Sequence, residues 1–173
     1  MPTGVYAVMD ATRRGFIRGR FRAVRTEIRP PWAAAPGEFD LCCTRCDDCV
    51  TVCPTQVVRR GEGGFPSIDF SAGECTFCGD CATACRTGAL QRAPESPPWS
   101  LIAVLGETCL TRQGVECRIC GEACAAGAIR FRPTLGGIAQ PQLDVASCTG
   151  CGACVAPCPV GAIGVEHPME IEQ

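Results

Sequence analysis

Apolar and polar residues alternate in two short segments of the chain, which is the pattern of a half-buried β-strand. The segments are residues 66–70 (PSIDF) and 141–145 (PQLDV), and they match each other position by position. A second repeated step, glycine-alanine followed by a branched aliphatic residue, occurs at residues 88–90, 127–129 and 161–163. The chain therefore contains an internal repeat. Each half is predicted to run from a loop through strand, turn and strand to a second loop, with single helical turns in the loops.

Cysteines mark these four loops. Of the 173 residues 17 are cysteine, and sixteen of these form four motifs. Motifs one, two and four follow the spacing Cys-x2-Cys-x2-Cys-x3-Cys, whereas seven residues separate the first two cysteines of motif three. In chain order the motifs contain Cys43, Cys46, Cys49 and Cys53; Cys75, Cys78, Cys81 and Cys85; Cys109, Cys117, Cys120 and Cys124; and Cys148, Cys151, Cys154 and Cys158.

This spacing points to [4Fe–4S] clusters, because a cubane cluster takes one thiolate on each of its four irons. In such runs the first three cysteines hold one cluster, and the fourth ligates the other cluster of a pair. We therefore predict that these sixteen cysteines are the iron ligands of four [4Fe–4S] clusters. The stretched motif three is predicted to hold the most labile of the four.

Two pairings of the motifs are open at this point. Sequential pairing, one with two and three with four, is favoured because a compact strand–turn–strand segment separates the members of each pair. The alternative is a nested pairing of one with four and two with three. Structural zinc is disfavoured, since it prefers two Cys-x2-Cys pairs with a longer gap between them. Cys42 breaks the two-residue spacing and is predicted to be a thiol that is not a ligand.

Composition indicates where such a protein works. The odd number of cysteines and the absence of a secretory signal in the first residues oppose a disulfide scaffold. No apolar stretch approaches the ~20 residues that span a membrane. We expect a reducing, cytoplasmic setting without a membrane span. Only 7 Phe, 2 Trp and 1 Tyr are available to fill a core, so the metals are expected to contribute to stability.

Charge is distributed unevenly along the chain. Residues 1–29 contain seven arginines and two acidic residues, whereas the remainder contains nine arginines and sixteen acidic residues. Residues 12–18 (TRRGFIR) look like a twin-arginine export signal, but charged residues follow where that signal needs an apolar stretch. The segment is then either a solvated tail or a docking segment, with Arg13, Arg14, Phe16, Ile17 and Arg18 as candidate partner-binding residues. The acidic remainder argues against nucleic acid as the partner.

Nothing in the sequence indicates catalysis by this chain. Its single histidine, His167, lies in the polar C-terminal tail, and a Rieske centre needs two histidine ligands. No phosphate loop and no flavin or nicotinamide fingerprint occurs. We predict an electron-transfer or assembly protein and divide it into a basic arm (1–36), a first cysteine-rich module (37–92), a proline-rich linker (93–99) and a second module (100–173).

Six segments, two of which include motif cysteines, carry residues that the cysteine spacing alone does not specify. They are RRGFI at 13–17, IRPPW at 28–32, CTRCD at 43–47, GGFPS at 63–67, VECRIC at 115–120 and FRPTL at 131–135. On these segments the chain resembles the NapF family, the ferredoxin-type accessory proteins of the bacterial periplasmic nitrate reductase (Nap) system. Arg86 and Ala125 depart from the ferredoxin motif, in which proline commonly follows the fourth cysteine.

The resemblance implies an α+β fold of two tandem ferredoxin-like modules, each with two [4Fe–4S] clusters. It implies a cytoplasmic protein that contacts the catalytic molybdenum subunit of periplasmic nitrate reductase before that subunit is exported. The role would be to load that subunit's own [4Fe–4S] cluster or to supply electrons for the step. The alternative is a general electron carrier, or an electron-transfer subunit, between larger redox partners.

Overall fold

The computed structural model describes residues 27–168 of the chain. Within this range, short helices and strands alternate with longer loops that carry the cysteines. No helix among these residues is long and apolar enough to cross a membrane. The candidate docking residues lie outside the described range; they are Arg13, Arg14, Phe16, Ile17 and Arg18.

The first half contains three short helices and one hairpin. Helix α1 (Pro36–Cys42) precedes motif one, and α2 (Asp48–Thr51) and α3 (Asp80–Ala84) lie within motifs one and two. Strands β1 (Val58–Arg60) and β2 (Pro66–Ile68) lie between these two motifs and pair with each other antiparallel. The predicted order of motif, strand, turn, strand and motif is therefore present.

The second half repeats this arrangement between two outer strands. Helix α4 (Ile119–Glu122) lies in motif three, and the inner hairpin is formed by β4 (Ile129–Arg132) and β5 (Gln140–Leu143). Strands β3 (Ile102–Leu105) and β6 (Ile163–Glu166) pair antiparallel outside it, with Ile102 opposite Glu166 and Leu105 opposite Ile163. Motif four folds as a series of turns.

The two strands predicted from alternation form, but each ends two residues earlier than the sequence pattern. The reason is an aspartate that turns the chain after each strand. The Asp69 carboxylate accepts the Ser71 N–H at 2.9 Å, and the Asp144 carboxylate accepts the Ala146 N–H at 3.2 Å. The N–H and hydroxyl of Ser71 hold the pKa of the Asp69 carboxyl below its usual value. The Ser147 hydroxyl and the Ala146 N–H do the same for Asp144.

An outer pair also exists in the first half, although it is shorter. Ala33 pairs with Leu90, the Ala34 N–H donates to the Ala89 carbonyl at 3.0 Å, and the Gln91 N–H donates to the Trp32 carbonyl at 2.9 Å. The described end of the predicted arm thus lies against the first module.

Three small apolar clusters make up the core. The first lies in the first half around Trp32 and Phe39, and the third lies in the second half around Ile129 and Ile163. The second cluster combines both halves, since it contains Val57, Phe70, Leu101 and Val165. Cysteines of the four motifs pack into all three clusters, so the core and the candidate metal sites are continuous.

Candidate metal centres

Four cysteines of the second half surround one cavity. Apolar side chains such as Leu105 and Phe131 line the rest of its wall. The cysteines are Cys109, Cys117 and Cys120 of motif three, together with Cys158 of motif four. Four thiols around one apolar cavity are the donor set that a cubane cluster requires.

A second cavity in the same half has the complementary set. It is lined by Cys124 of motif three and by Cys148, Cys151 and Cys154 of motif four. Motifs three and four therefore exchange their fourth cysteines. This is the sequential grouping; the nested alternative would have joined motif three to motif two.

The first half groups its cysteines in the same way, as their electrostatic coupling shows. Burial, together with the neighbouring thiols of Cys43, Cys46 and Cys85, raises the pKa of Cys49 to about 11. Burial likewise raises the pKa of Cys75 to about 11, and Cys53 and Cys78 are among the thiols that add to the shift. Cys85 of motif two thus lies near Cys49 of motif one, and Cys53 of motif one lies near Cys75 of motif two.

The cysteines of each group surround a space instead of meeting at one point. In residues 27–168 no three histidine, cysteine, aspartate or glutamate side chains converge closely enough to share a single metal ion. A [4Fe–4S] cluster offers a separate iron to each thiolate, so its ligands stand around the cluster.

Hydrogen-bond donors reach the sulfurs of the fourth cysteines. The Leu90 N–H donates to Cys85 Sγ at 3.3 Å, and the Ala162 N–H donates to Cys158 Sγ at 3.2 Å. The two donors are the third residue and the second residue of the repeated glycine-alanine-aliphatic step. That step therefore aims backbone N–H groups at a ligand sulfur, which favours the thiolate and tunes a bound cluster.

Threonine hydroxyls make further sulfur contacts that sequence reasoning missed. Thr55 and Thr87 Oγ1 lie 3.7 Å from Cys53 and Cys85 Sγ, and Thr111 Oγ1 lies 3.2 Å from Cys109 Sγ. Each threonine follows its cysteine by two residues. The pattern Cys-x-Thr alone would not have identified them, because it also occurs at residues 49–51 and 81–83, where the threonine hydroxyl donates to a backbone carbonyl.

The cysteines differ in how readily they ionise. Burial raises the pKa of Cys81 and of Cys154 to about 12. At Cys53 and Cys85 burial acts in the same direction, but backbone N–H and threonine hydroxyl donors outweigh it, and the pKa of both thiols is lowered. Metal binding must therefore displace protons from the buried third cysteines, whereas the thiols of Cys53 and Cys85 lose theirs more readily.

The stretched motif three is held in place by its own insert. The Val115 N–H donates to the Leu110 carbonyl at 2.9 Å, closing the insert into a turn. Thr111 is only 2 % exposed, and its carbonyl accepts the Gln140 side-chain amide at 3.0 Å. These contacts bring Cys109 to the cavity despite its distance in sequence from Cys117.

Two residues named from the sequence lie outside the four groups. Cys42 is the last residue of α1, is partly buried and packs against the first core cluster. His167 is exposed, with its Nδ1 3.2 Å from Ser100 Oγ.

Comparison with known proteins relates the chain to iron–sulfur proteins. The 4Fe-4S dicluster domain matches it twice, at residues 42–89 and 115–162. Ferredoxin-type protein NapF of Escherichia coli (strain K12) is 47% identical over 92% of this chain and 96% of the relative, and NapF of Haemophilus influenzae is 44% identical over 90% and 94%. The methylamine utilization ferredoxin-type protein MauM of Methylobacillus flagellatus is 32% identical over 90% of this chain and 74% of the relative.

Proposed function

Because the chain belongs to the NapF family of ferredoxin-type iron–sulfur proteins and carries the 4Fe-4S dicluster domain twice, we propose that it holds four [4Fe–4S] clusters. The proposed ligands are the sixteen motif cysteines, in four groups of three consecutive cysteines and one exchanged fourth. The observation that carries the proposal is the pair of cavities in the second half, each lined by four cysteines drawn from two motifs.

The protein's residues would prepare each site for electron transfer. A bound [4Fe–4S] cluster supplies a one-electron couple, with potentials across the family of such clusters spanning roughly −700 to +450 mV. The Leu90 and Ala162 N–H groups and the threonine hydroxyls stabilise negative charge on the ligand sulfurs. Leu105 and Phe131 give the cavity an apolar wall.

Iron and acid-labile sulfide analysis of anaerobically purified protein, with EPR of the reduced state, tests the cluster count. Four cubanes require about sixteen irons per chain. The adjacent pair Cys43 and Cys42 provides a matched comparison. Cys43→Ser is expected to lower the iron content, whereas Cys42→Ser is expected to keep it. Equal iron in both variants would contradict the ligand assignment.

We further propose that the protein acts in the cytoplasm on the catalytic molybdenum subunit of periplasmic nitrate reductase, before export of that subunit. It would load the subunit's own [4Fe–4S] cluster or supply electrons for that step. Support comes from the relatives named NapF and from the arginine-rich arm, which a simple carrier does not need. The alternative, a standing electron carrier between redox partners, uses the same clusters.

Two measurements separate these roles. Nitrate reductase isolated from cells that lack this protein is expected to have a reduced iron content; fully loaded, active enzyme would rule out the assembly role. Charge reversal at Arg13, Arg14 and Arg18 is expected to abolish binding to the catalytic subunit while leaving the iron content of this protein unchanged. Unaltered binding would reject the arm as the docking segment.

A further inference from the structure

The two modules touch at the loops of motif two and motif four. The Cys75 N–H donates to the Cys151 carbonyl at 2.8 Å, a hydrogen bond between two modules that are separated by the linker. Both residues belong to proposed ligand groups. A direct backbone contact therefore joins one proposed cluster-binding loop to another.

Corresponding residues of the two halves differ in burial at this contact. Phe70 follows β2 and is 6% exposed, whereas Val145 occupies the corresponding position after β5 and is 54% exposed. Gly152 of motif four lies against the Phe70 ring with φ 79°, and any Cβ at that position would overlap the ring. Side-chain size is thus matched across the interface.

Trp99, the last residue of the linker, fixes the same two loops. Its ring meets Phe70 and Phe77 edge-on, with centroids 6.2 Å and 5.5 Å apart. Its indole N–H donates to the Thr149 carbonyl, within motif four, at 3.0 Å. One side chain therefore contacts motif two through Phe77 and motif four through Thr149.

Phe77 has a left-handed backbone conformation, as Arg45 does at the same position of motif one. Its φ of 57° lies in the left-handed region, which is costly for a bulky residue. The corresponding position in motif four is Gly150, with φ 69°. A phenylalanine in this conformation persists only where the surrounding structure holds it, and here its ring packs on Trp99.

We propose that the contact between the loops of motif two and motif four is the junction through which the two modules exchange electrons. The inference rests on the proposed function, because it requires a cluster in each loop. The four cysteine groups then form one series in the order motif one, motif two, motif four, motif three. In the exchange one cluster loses a single electron and is oxidised, the other gains it and is reduced, and no further reactant is needed.

The test compares Phe70→Ala with its repeat counterpart Val145→Ala in the full-length, cluster-loaded protein. Iron content is measured first, and then the EPR spectrum of the fully reduced state. Wild type and Val145→Ala are expected to share the same spin–spin broadening. Phe70→Ala is expected to lose the part of the broadening that arises between modules, and hydrogen exchange at the Cys75 amide is expected to accelerate.

A second pair of variants keeps the test decisive if Phe70→Ala does not retain its iron. Trp99→Phe removes the hydrogen bond to motif four, whereas Trp32→Phe removes a similar bond to the Ser96 carbonyl. Only Trp99→Phe is expected to weaken the broadening. Identical spectra in iron-replete variants and wild type would overturn the junction. An iron content far below sixteen in wild type would instead reject the proposed function.

Discussion

At the scale of single residues, threonine hydroxyls distinguish the four cysteine groups. Thr87, Thr55 and Thr111 each contact a sulfur of one group, whereas the group that contains Cys124 has Ala126 two residues after that cysteine. Donors to a ligand sulfur stabilise the more negative, reduced state of a cluster. Each threonine is therefore expected to raise the potential of a cluster bound in its group, a contribution that the group of motif four lacks.

Thr111 offers the sharpest test of such a contact, because its hydroxyl is buried and lies 3.2 Å from Cys109 Sγ. Thr111→Val keeps the shape and removes the donor. A hydrogen bond of about 1 kcal/mol corresponds to about 40 mV in a one-electron couple. Redox titration followed by EPR should show one cluster lowered by that amount. Thr111→Ser should stay near wild type, and an unshifted Thr111→Val would show that the hydroxyl does not tune the cluster.

At the scale of secondary-structure elements, the segment before α1 has two parts. Beyond residue 26 the chain joins the first module, since the Ile68 N–H donates to the Ile28 carbonyl at 2.8 Å and Trp32 is 7% exposed. Arg29 stacks between Phe39 and Phe65, 5.1 Å from each ring centroid. Residues 27–35 therefore complete the outer strand pair of the first module.

Two truncations are expected to separate these parts. Deletion of residues 1–26 removes the candidate docking residues and keeps residues 27–35. Deletion of residues 1–36 also removes Trp32, whose burial is worth about 3–5 kcal/mol, and is expected to destabilise the first module. Thermal denaturation of the two loaded proteins makes the comparison, and equal melting temperatures would contradict the structural role of residues 27–35.

At the scale of the whole molecule, the protein lacks a single large core in its described part. Its largest fully buried side chains are Phe39, Val57 and Pro31, and cysteines complete all three apolar clusters. Residues 27–168 also contain few hydrogen-bonded strands, in three two-stranded sheets. Small domains of this kind depend on added cross-links or metals.

Removal of iron is accordingly expected to unfold the protein. Anaerobic treatment with a chelator and an oxidant should abolish the near-ultraviolet circular dichroism of Trp32 and Trp99. Both rings pack in or beside apolar core clusters to which motif cysteines also belong. Restored iron and sulfide should recover the signal. A metal-free protein that keeps its signal and its melting temperature would show that the apolar clusters suffice for the fold.

The sequence by itself determined the chemistry of the chain, its repeat and its family. Cysteine spacing predicts the ligand type and number, because a loop can place three thiols around a cluster only at short, regular intervals. Alternation over residues 66–70 and 141–145 specifies the inner strands, since a half-buried strand exposes every second residue. Both signals are local, and both appear in the hairpins and cysteine groups of the structure.

Only the tertiary structure decided which distant parts of the repeat meet. Phe70 and Val145 follow matching strands, yet one is buried between the modules and the other is exposed. Nothing in their local patterns separates them, because the difference arises from Gly152 and Trp99, which lie 82 and 29 positions away in sequence. The compact spacing of the motifs favoured the exchange of fourth cysteines, but packing between remote segments sets its geometry. The same is true of the contact between Cys75 and Cys151.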